Sequence, residues 1–169
     1  MSDEIHNKAS EASKVFVREG LAKSQIRRML EVIRRNRMEG FERFIKGQYA
    51  RGLISPSATQ YLLSLANYAK TPKDLMSILS HAHSLMDYHI LEPLLANWDE
   101  ISAMIGGVDL DSIRSVRVTT RGSRYVGLLI SVDRNIYLDA KKFAEVYGKV
   151  LSRHMNRNFR VSVRVIRGG

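Results

Sequence analysis

Five arginines, Arg27, Arg28, Arg34, Arg35 and Arg37, fall within 11 positions of the segment Ser24 to Met38, and no lysine interrupts them. Seven-residue spacing sets Arg34 two helical turns above Arg27 and Arg35 two turns above Arg28. The guanidinium groups then form a ridge beside the apolar stripe of Ile26, Met29, Leu30 and Ile33. Guanidinium is a planar donor fork that matches phosphate oxygens in a way ammonium does not. The chemistry such a ridge serves is anion contact rather than bond making. Like charges on one short helix repel, a cost that bound phosphates or acidic partner residues remove; a solvated face with local pairing to Glu31 and Glu39 is the alternative reading.

A second set lies near the C-terminus. Period-2 alternation places Arg117 and Arg121 on one strand, Tyr125 on the next, and Arg160 and Arg164 on a third, all opposite the valines. An open sheet face with arginine and an aromatic ring holds single-stranded nucleic acid by phosphate contact and base stacking. Leu129 shares that face, and a plain solvated sheet or a protein interface fits the same pattern.

Other chemistry is poorly served. The chain has no cysteine, which removes thiol nucleophiles, iron–sulfur clusters and thiolate zinc sites. His81, His83 and His89 share one helix but lack the i, i+4 spacing of helical metal sites, and His6 and His154 are remote in sequence. There is no GxSxG, no Gly-rich phosphate loop with Lys-Ser/Thr, and no HExxH. The acidic residues Asp109 and Asp111, with Asp133 further on, lack a partner His or Lys pattern. The expectation is therefore no catalytic residue, no metal and no cofactor.

The elements that position the arginines follow from periodicity. From Ser2 to about Gly106 the pattern is helical. Ile5, Ala9, Ala12 and Phe16 make one helix face, ended by Gly20. Ser24 caps the arginine helix, and Gly40 separates it from a shorter helix through Phe41, Phe44, Ile45 and Tyr49. Ser55-Pro56 and Thr71-Pro72 each set a capping hydroxyl before a proline at the first helical position, predicting helices over 56–69 and 72–91. Pro93 then interrupts, and 93–105 makes a last helix stopped by Gly106-Gly107. Beyond it the period changes to 2. Two strands, a helix capped by Asp139 and the alternating run Phe159 to Ile166 predict a β-β-α-β module. The fold class is α+β: an all-helical domain over 1–106, then a small basic module over 110–169 with an antiparallel-type sheet.

Charge is segregated along this frame. Residues 1–70 hold 13 basic and 7 acidic side chains, net +6; residues 71–108 hold one and five, net −4; residues 109–169 hold 13 and 5, net +8. The total is +10 with a pI near 10.1, which makes a polyanion, RNA or DNA, the first partner expected. Two positive ends around a negative middle also suit docking onto acidic protein surfaces or self-association. No segment has the ~20 apolar residues of a membrane span, and the N-terminal stretch lacks the apolar core of a signal peptide; a cytoplasmic protein without membrane contact is expected.

Residues 1–105 resemble the small helical subunit of type III CRISPR effector complexes. The similarity lies in Gly20-Leu21-Ala22-Lys23-Ser24-Gln25-Ile26-Arg27, then Leu63-Ser64-Leu65-Ala66-Asn67-Tyr68-Ala69, then a Leu-rich helix and Trp98 to Ile105. The resemblance implies a non-catalytic subunit that stacks along a guide–target duplex and touches its backbone, with Arg27, Arg28, Arg34 and Arg35 as the matching basic positions. The family's Ala-Tyr-His ending is absent here, and the basic C-terminal module departs from its pattern. The closing Gly168-Gly169 resembles the tail of ubiquitin-like modifiers, or is a plain chain end. Together these readings lead to a non-catalytic nucleic-acid-binding subunit of a larger assembly; the alternative is a structural or protein-interaction subunit.

Overall fold

The computed structural model describes residues 2–168; Gly169, half of the terminal diglycine, lies outside the described residues. The chain divides into two compact units, Met1–Met86 and Asp87–Gly169.

In the first unit, α1 (Asp3–Arg18) starts where the Ser2 hydroxyl accepts the Ile5 N–H at 3.2 Å, and its stripe of Ala9, Ala12 and Phe16 is fully buried. Gly20, at φ 78°, makes the turn out of it. α2 (Lys23–Ala50) is capped at Ala22, whose N–H donates to the Gln25 side chain at 2.8 Å, so Ser24 lies inside the first turn and is not the cap. The two helices expected here follow each other across a kink and are counted together as α2. Its break is not at Gly40 but at Arg37, which leaves the helical path at φ 59°, ψ −153°. Gly40 has a different task. A Cβ there would lie 2.1 Å from the Asn36 Cβ, so only glycine lets the chain close up after the break.

α3 (Pro56–Ala69) and α4 (Pro72–Ala96) begin as expected. The Ser55 hydroxyl accepts from Ala58 N–H at 3.0 Å and the Thr71 hydroxyl from Asp74 N–H at 3.2 Å. The Ser55 hydroxyl also donates to the buried Glu19 carboxylate at 2.9 Å, tying the end of α1 to the start of α3. Ile26, Met29, Ile33, Phe41, Ile45, Leu62 and Leu75 fill the core of this unit. Each such side chain contributes about 1.5–3 kcal/mol on leaving water.

α4 begins in the first unit and ends in the second. Pro93 lies inside it, buried, rather than interrupting it. The bond that its missing N–H forfeits is outweighed by Ile90, Leu94 and Trp98, which stay in the core as the chain winds on to Ala96. The final helix is therefore short, α5 (Trp98–Met104), and Gly106 and Gly107, at φ 95° and 80°, follow it. The Trp98 indole N–H donates to the Val108 carbonyl at 3.0 Å, and the Ser102 hydroxyl bonds both Val108 backbone groups.

The second unit continues through a 3-10 turn at Leu110–Ser112 into β1 (Ile113–Gly122), β2 (Tyr125–Asp133), α6 (Ala140–Met155) and β3 (Arg160–Gly168). The α+β class and the β-β-α-β order are as expected. The sheet, however, is mixed. β1 pairs antiparallel with β2 through a tight turn, while β3 lies parallel to β2 in the order β1-β2-β3. The 16-residue α6 carries the chain back to the starting end of β2, which is what a parallel neighbour requires. Asp139 caps α6 by accepting the Lys142 N–H at 3.2 Å, and Asn156, left-handed at φ 54°, ends it. Val126, Leu128, Ile130 and Val132 are buried on one face of the sheet, and Phe143, Val146, Tyr147, Val150 and Leu151 are buried along α6.

Candidate nucleic-acid interface

In the first unit, Arg27, Arg28, Arg34, Arg35 and Arg37 are all exposed. Among the described residues none is ion-paired to a carboxylate, and the local pairing with Glu31 and Glu39 is not formed. The first four stand on the regular part of α2, where the apolar stripe of Ile26, Met29 and Ile33 is buried and fixes which side faces solvent. Arg37 is not the top of that ridge. Its backbone has turned away from the helical path, and it lines a groove together with Arg34.

In the second unit the arginines divide. The Cα register puts Arg117 opposite Leu129 and Leu129 opposite Arg164, one row across three strands. With neighbouring strands about 4.8 Å apart, the two arginine backbones stand ~10 Å from each other. The next row is Thr120, Gly127 and Ser162; the row after it is Gly122, Tyr125 and Arg160. Arg117, Arg160 and Arg164 are exposed on the face away from the buried valines, as expected. Tyr125 joins them at 42% exposure, its hydroxyl bonded to the Ser162 hydroxyl at 2.6 Å.

Arg121 does not join them. The β1 register shifts between Val118 and Thr120, so one extra residue enters the strand and Arg121 pairs with Val126, a core residue. A strict period of 2 from Arg117 reaches the outer face at 121; one inserted residue reverses every later side chain. Arg121 is accordingly largely buried. Desolvation pulls its guanidinium down to about 10, with the nearby Asp87 carboxylate opposing part of that shift.

Several groups near these arginines carry no sequence signal of their own. The bulge turns Thr119 and Thr120 toward Gly127, where a Cβ would lie 2.4 Å from the Thr120 Oγ1, 2.9 Å from the Thr119 Oγ1 and 3.6 Å from the Ser162 Oγ. The sheet face therefore has a hydroxyl-rich centre between its arginines. Lys73, Ser77, Ser80, His81 and Ser84 line the groove that Arg34 and Arg37 face. His6, far off in sequence, packs against His81 with the rings tilted by 44° and their centres 4.5 Å apart. Periodicity sorts residues onto faces of their own element, and all of these encounters lie between elements.

The acidic residues sit elsewhere. Asp99, Glu100, Asp109 and Asp111 line a cleft of about 750 Å³ in the second unit, and the Asp133 carboxylate accepts from Arg114 at 2.7 Å. Glu100 is gripped by both terminal nitrogens of Arg153, at 3.0 and 2.7 Å, which holds its carboxyl below the usual range. Among the described residues no three His, Asp or Glu side chains converge as a cation site, and no helix is long and apolar enough to cross a membrane. No family model, curated protein or solved structure matches the chain.

Proposed function

We propose that the chain is a non-catalytic nucleic-acid-binding subunit of a larger, cytoplasmic assembly. It touches mainly the phosphate backbone, through the arginine rows of α2 and the outer sheet face of Arg117, Tyr125, Arg160 and Arg164. The observation that carries this reading is the state of the α2 arginines: five guanidinium groups within 11 positions, all exposed and none ion-paired to a described carboxylate. Uncompensated like charge on one helix is unfavourable alone and is relieved by a polyanion. The resemblance of residues 1–105 to the small helical subunit of type III CRISPR effector complexes supplies the kind of assembly, copies stacked along a duplex.

Affinity of this origin depends steeply on salt and weakly on sequence. Six to ten phosphate contacts lose ~10³–10⁵ in affinity between 50 and 200 mM salt. Anisotropy titrations with single-stranded RNA, single-stranded DNA and duplex are the test. Absence of binding to all three at 50 mM salt removes the proposal.

A second reading has its own support. The cleft lined by Asp99, Glu100, Asp109 and Asp111, with Leu95 and Leu110 beside them, is a surface of opposite sign to the arginine rows. Docking of basic ends onto such surfaces makes the chain a structural subunit. Light scattering without nucleic acid separates the two readings: self-association that dissolves at high salt supports docking.

A further inference from the structure

The first unit holds a groove of about 760 Å³ built from two stretches distant in sequence. Arg34 and Arg37 come from α2; Lys73 comes from the first turn of α4. Ser77, Ser80 and Ser84 follow on α4 at spacings of three and four, which is one helix face, and all three line the groove. No Asp or Glu does, so three fixed positive charges and three hydroxyls share one concavity with no internal counter-charge.

Two further observations point to a ligand. The His81 ring lines the groove, and its Nε2 is buried with no hydrogen-bond partner among the described residues. Buried polar atoms in folded proteins are nearly always bonded, so an orphan at the wall of a groove calls for a partner, and a small shift of the His81 ring would bring its Nε2 to a group bound there. The second is Arg37, held at φ 59°, ψ −153°, a backbone region in which a side chain is strained. Such residues persist where the surrounding fold over-determines them, and they gather at ligand sites.

We propose that this groove binds a terminal phosphomonoester of a nucleotide, with the phosphate among Arg34, Arg37, Lys73 and His81 and the attached nucleoside against Leu30, Ile33 and Met76. A diester inside a strand bears one negative charge and suits an open track. A terminal monoester bears nearly two and suits a concave pocket with several convergent donors. The proposal goes beyond backbone contact, from which it borrows Arg34 and Arg37, and the experiment keeps the two apart.

The test uses the full chain. Anisotropy compares a single-stranded oligonucleotide carrying a 5′-phosphate with the same oligonucleotide carrying a 5′-hydroxyl. The phosphate is expected to improve affinity about tenfold, the effect of one charge-assisted contact set, and the advantage is expected to vanish in Lys73→Ala and in Arg37→Gly. In parallel, uridine 5′-monophosphate is expected to move the His81 ring signals in NMR spectra of the wild type but not of Lys73→Ala. Inorganic phosphate is the control for the free anion, and a shift as large as the nucleotide's overturns the nucleoside part of the proposal. Equal affinity for the two oligonucleotides, together with unmoved His81 signals, overturns the whole of it while leaving salt-dependent backbone binding intact. His81 signals that respond to the nucleotide when no oligonucleotide binds uphold the groove and defeat the backbone reading.

Discussion

Arg121 pairs across the β1–β2 ladder with Val126, which puts its guanidinium on the sheet face that α6 covers. The covering is direct: α6 passes so close to β3 at Gly148 that a Cβ added there would lie 3.7 Å from the Cγ2 of Val161, the β3 partner of Val126. Arg117, four residues earlier, is exposed on the opposite face. The two side chains have the same chemistry and opposite surroundings. Arg117→Ala is expected to leave the unfolding free energy within about 0.5 kcal/mol of wild type and to reduce the salt slope of nucleic-acid binding by about one. Arg121→Ala is expected to do the reverse, costing about 1–3 kcal/mol through lost packing beside Asp87 with no change in slope. Urea titration and salt-dependent anisotropy on both variants measure the contrast.

Any side chain at Gly127 is expected to cost stability. Thr120 is β-branched and stiff, so the 2.4 Å approach cannot be relieved by swinging a long chain away. Gly127→Ala should cost about 1–3 kcal/mol by overpacking, and Thr120→Ala in the same chain should recover part of it. A double-mutant cycle on urea midpoints reads the coupling, and simple additivity of the two changes argues against the bulge geometry.

The break in α2 makes a prediction of unusual sign. Arg37→Gly removes a side chain from a backbone region that glycine alone occupies without strain, so stability should rise by about 1 kcal/mol although a surface charge is lost. Gly40→Ala should fall in the opposite direction, because the clash is with the Asn36 Cβ, which no rotamer change can move. Thermal melts of the two variants against wild type check both directions.

Alkaline titration should expose the buried phenols. The Tyr147 hydroxyl donates to the Ile90 carbonyl, and burial raises its ionisation above the ordinary tyrosine range. Tyr61 is raised too, first by burial and then by the Glu11 carboxylate that accepts its hydroxyl. Folding therefore favours the neutral phenol: this contribution is intact below about pH 10 and lost as pH climbs toward the folded value. Arg121 works the other way, since its depressed folded value lets the native state release a proton first. The difference between wild type and Tyr147→Phe isolates the phenol. Tyr147→Phe should cost about 1 kcal/mol at neutral pH and lose less stability than wild type above pH 10. Absorbance near 295 nm with unfolding curves at several pH values gives both quantities.

Much of the fold was legible because its signals are local. A hydroxyl before Pro56 or Pro72 caps a helix through its own next turn, and Ala9, Ala12 and Phe16 share a face by the geometry of one helix. Arg27, Arg28, Arg34 and Arg35 were readable for the same reason, since the buried stripe beside them fixes their exposure from within the same element. Pro93 and Gly40 were misleading. Each has a strong local preference, and in each case packing decided: core contacts carry the helix past Pro93, and the close approach of Asn36 explains Gly40.

Residue types and spacing by themselves determined the α+β class, the basic character of the α2 ridge and the outer-face position of three of the four sheet arginines expected there. Tertiary structure alone decided that Arg121 turns inward, that β3 runs parallel to β2, and that Arg34 and Arg37 share a groove with Lys73 and His81. The reason is the range of the forces involved. Periodicity and capping act within a few residues, whereas a one-residue bulge, a crossover and a groove between helices depend on which distant segments end up in contact.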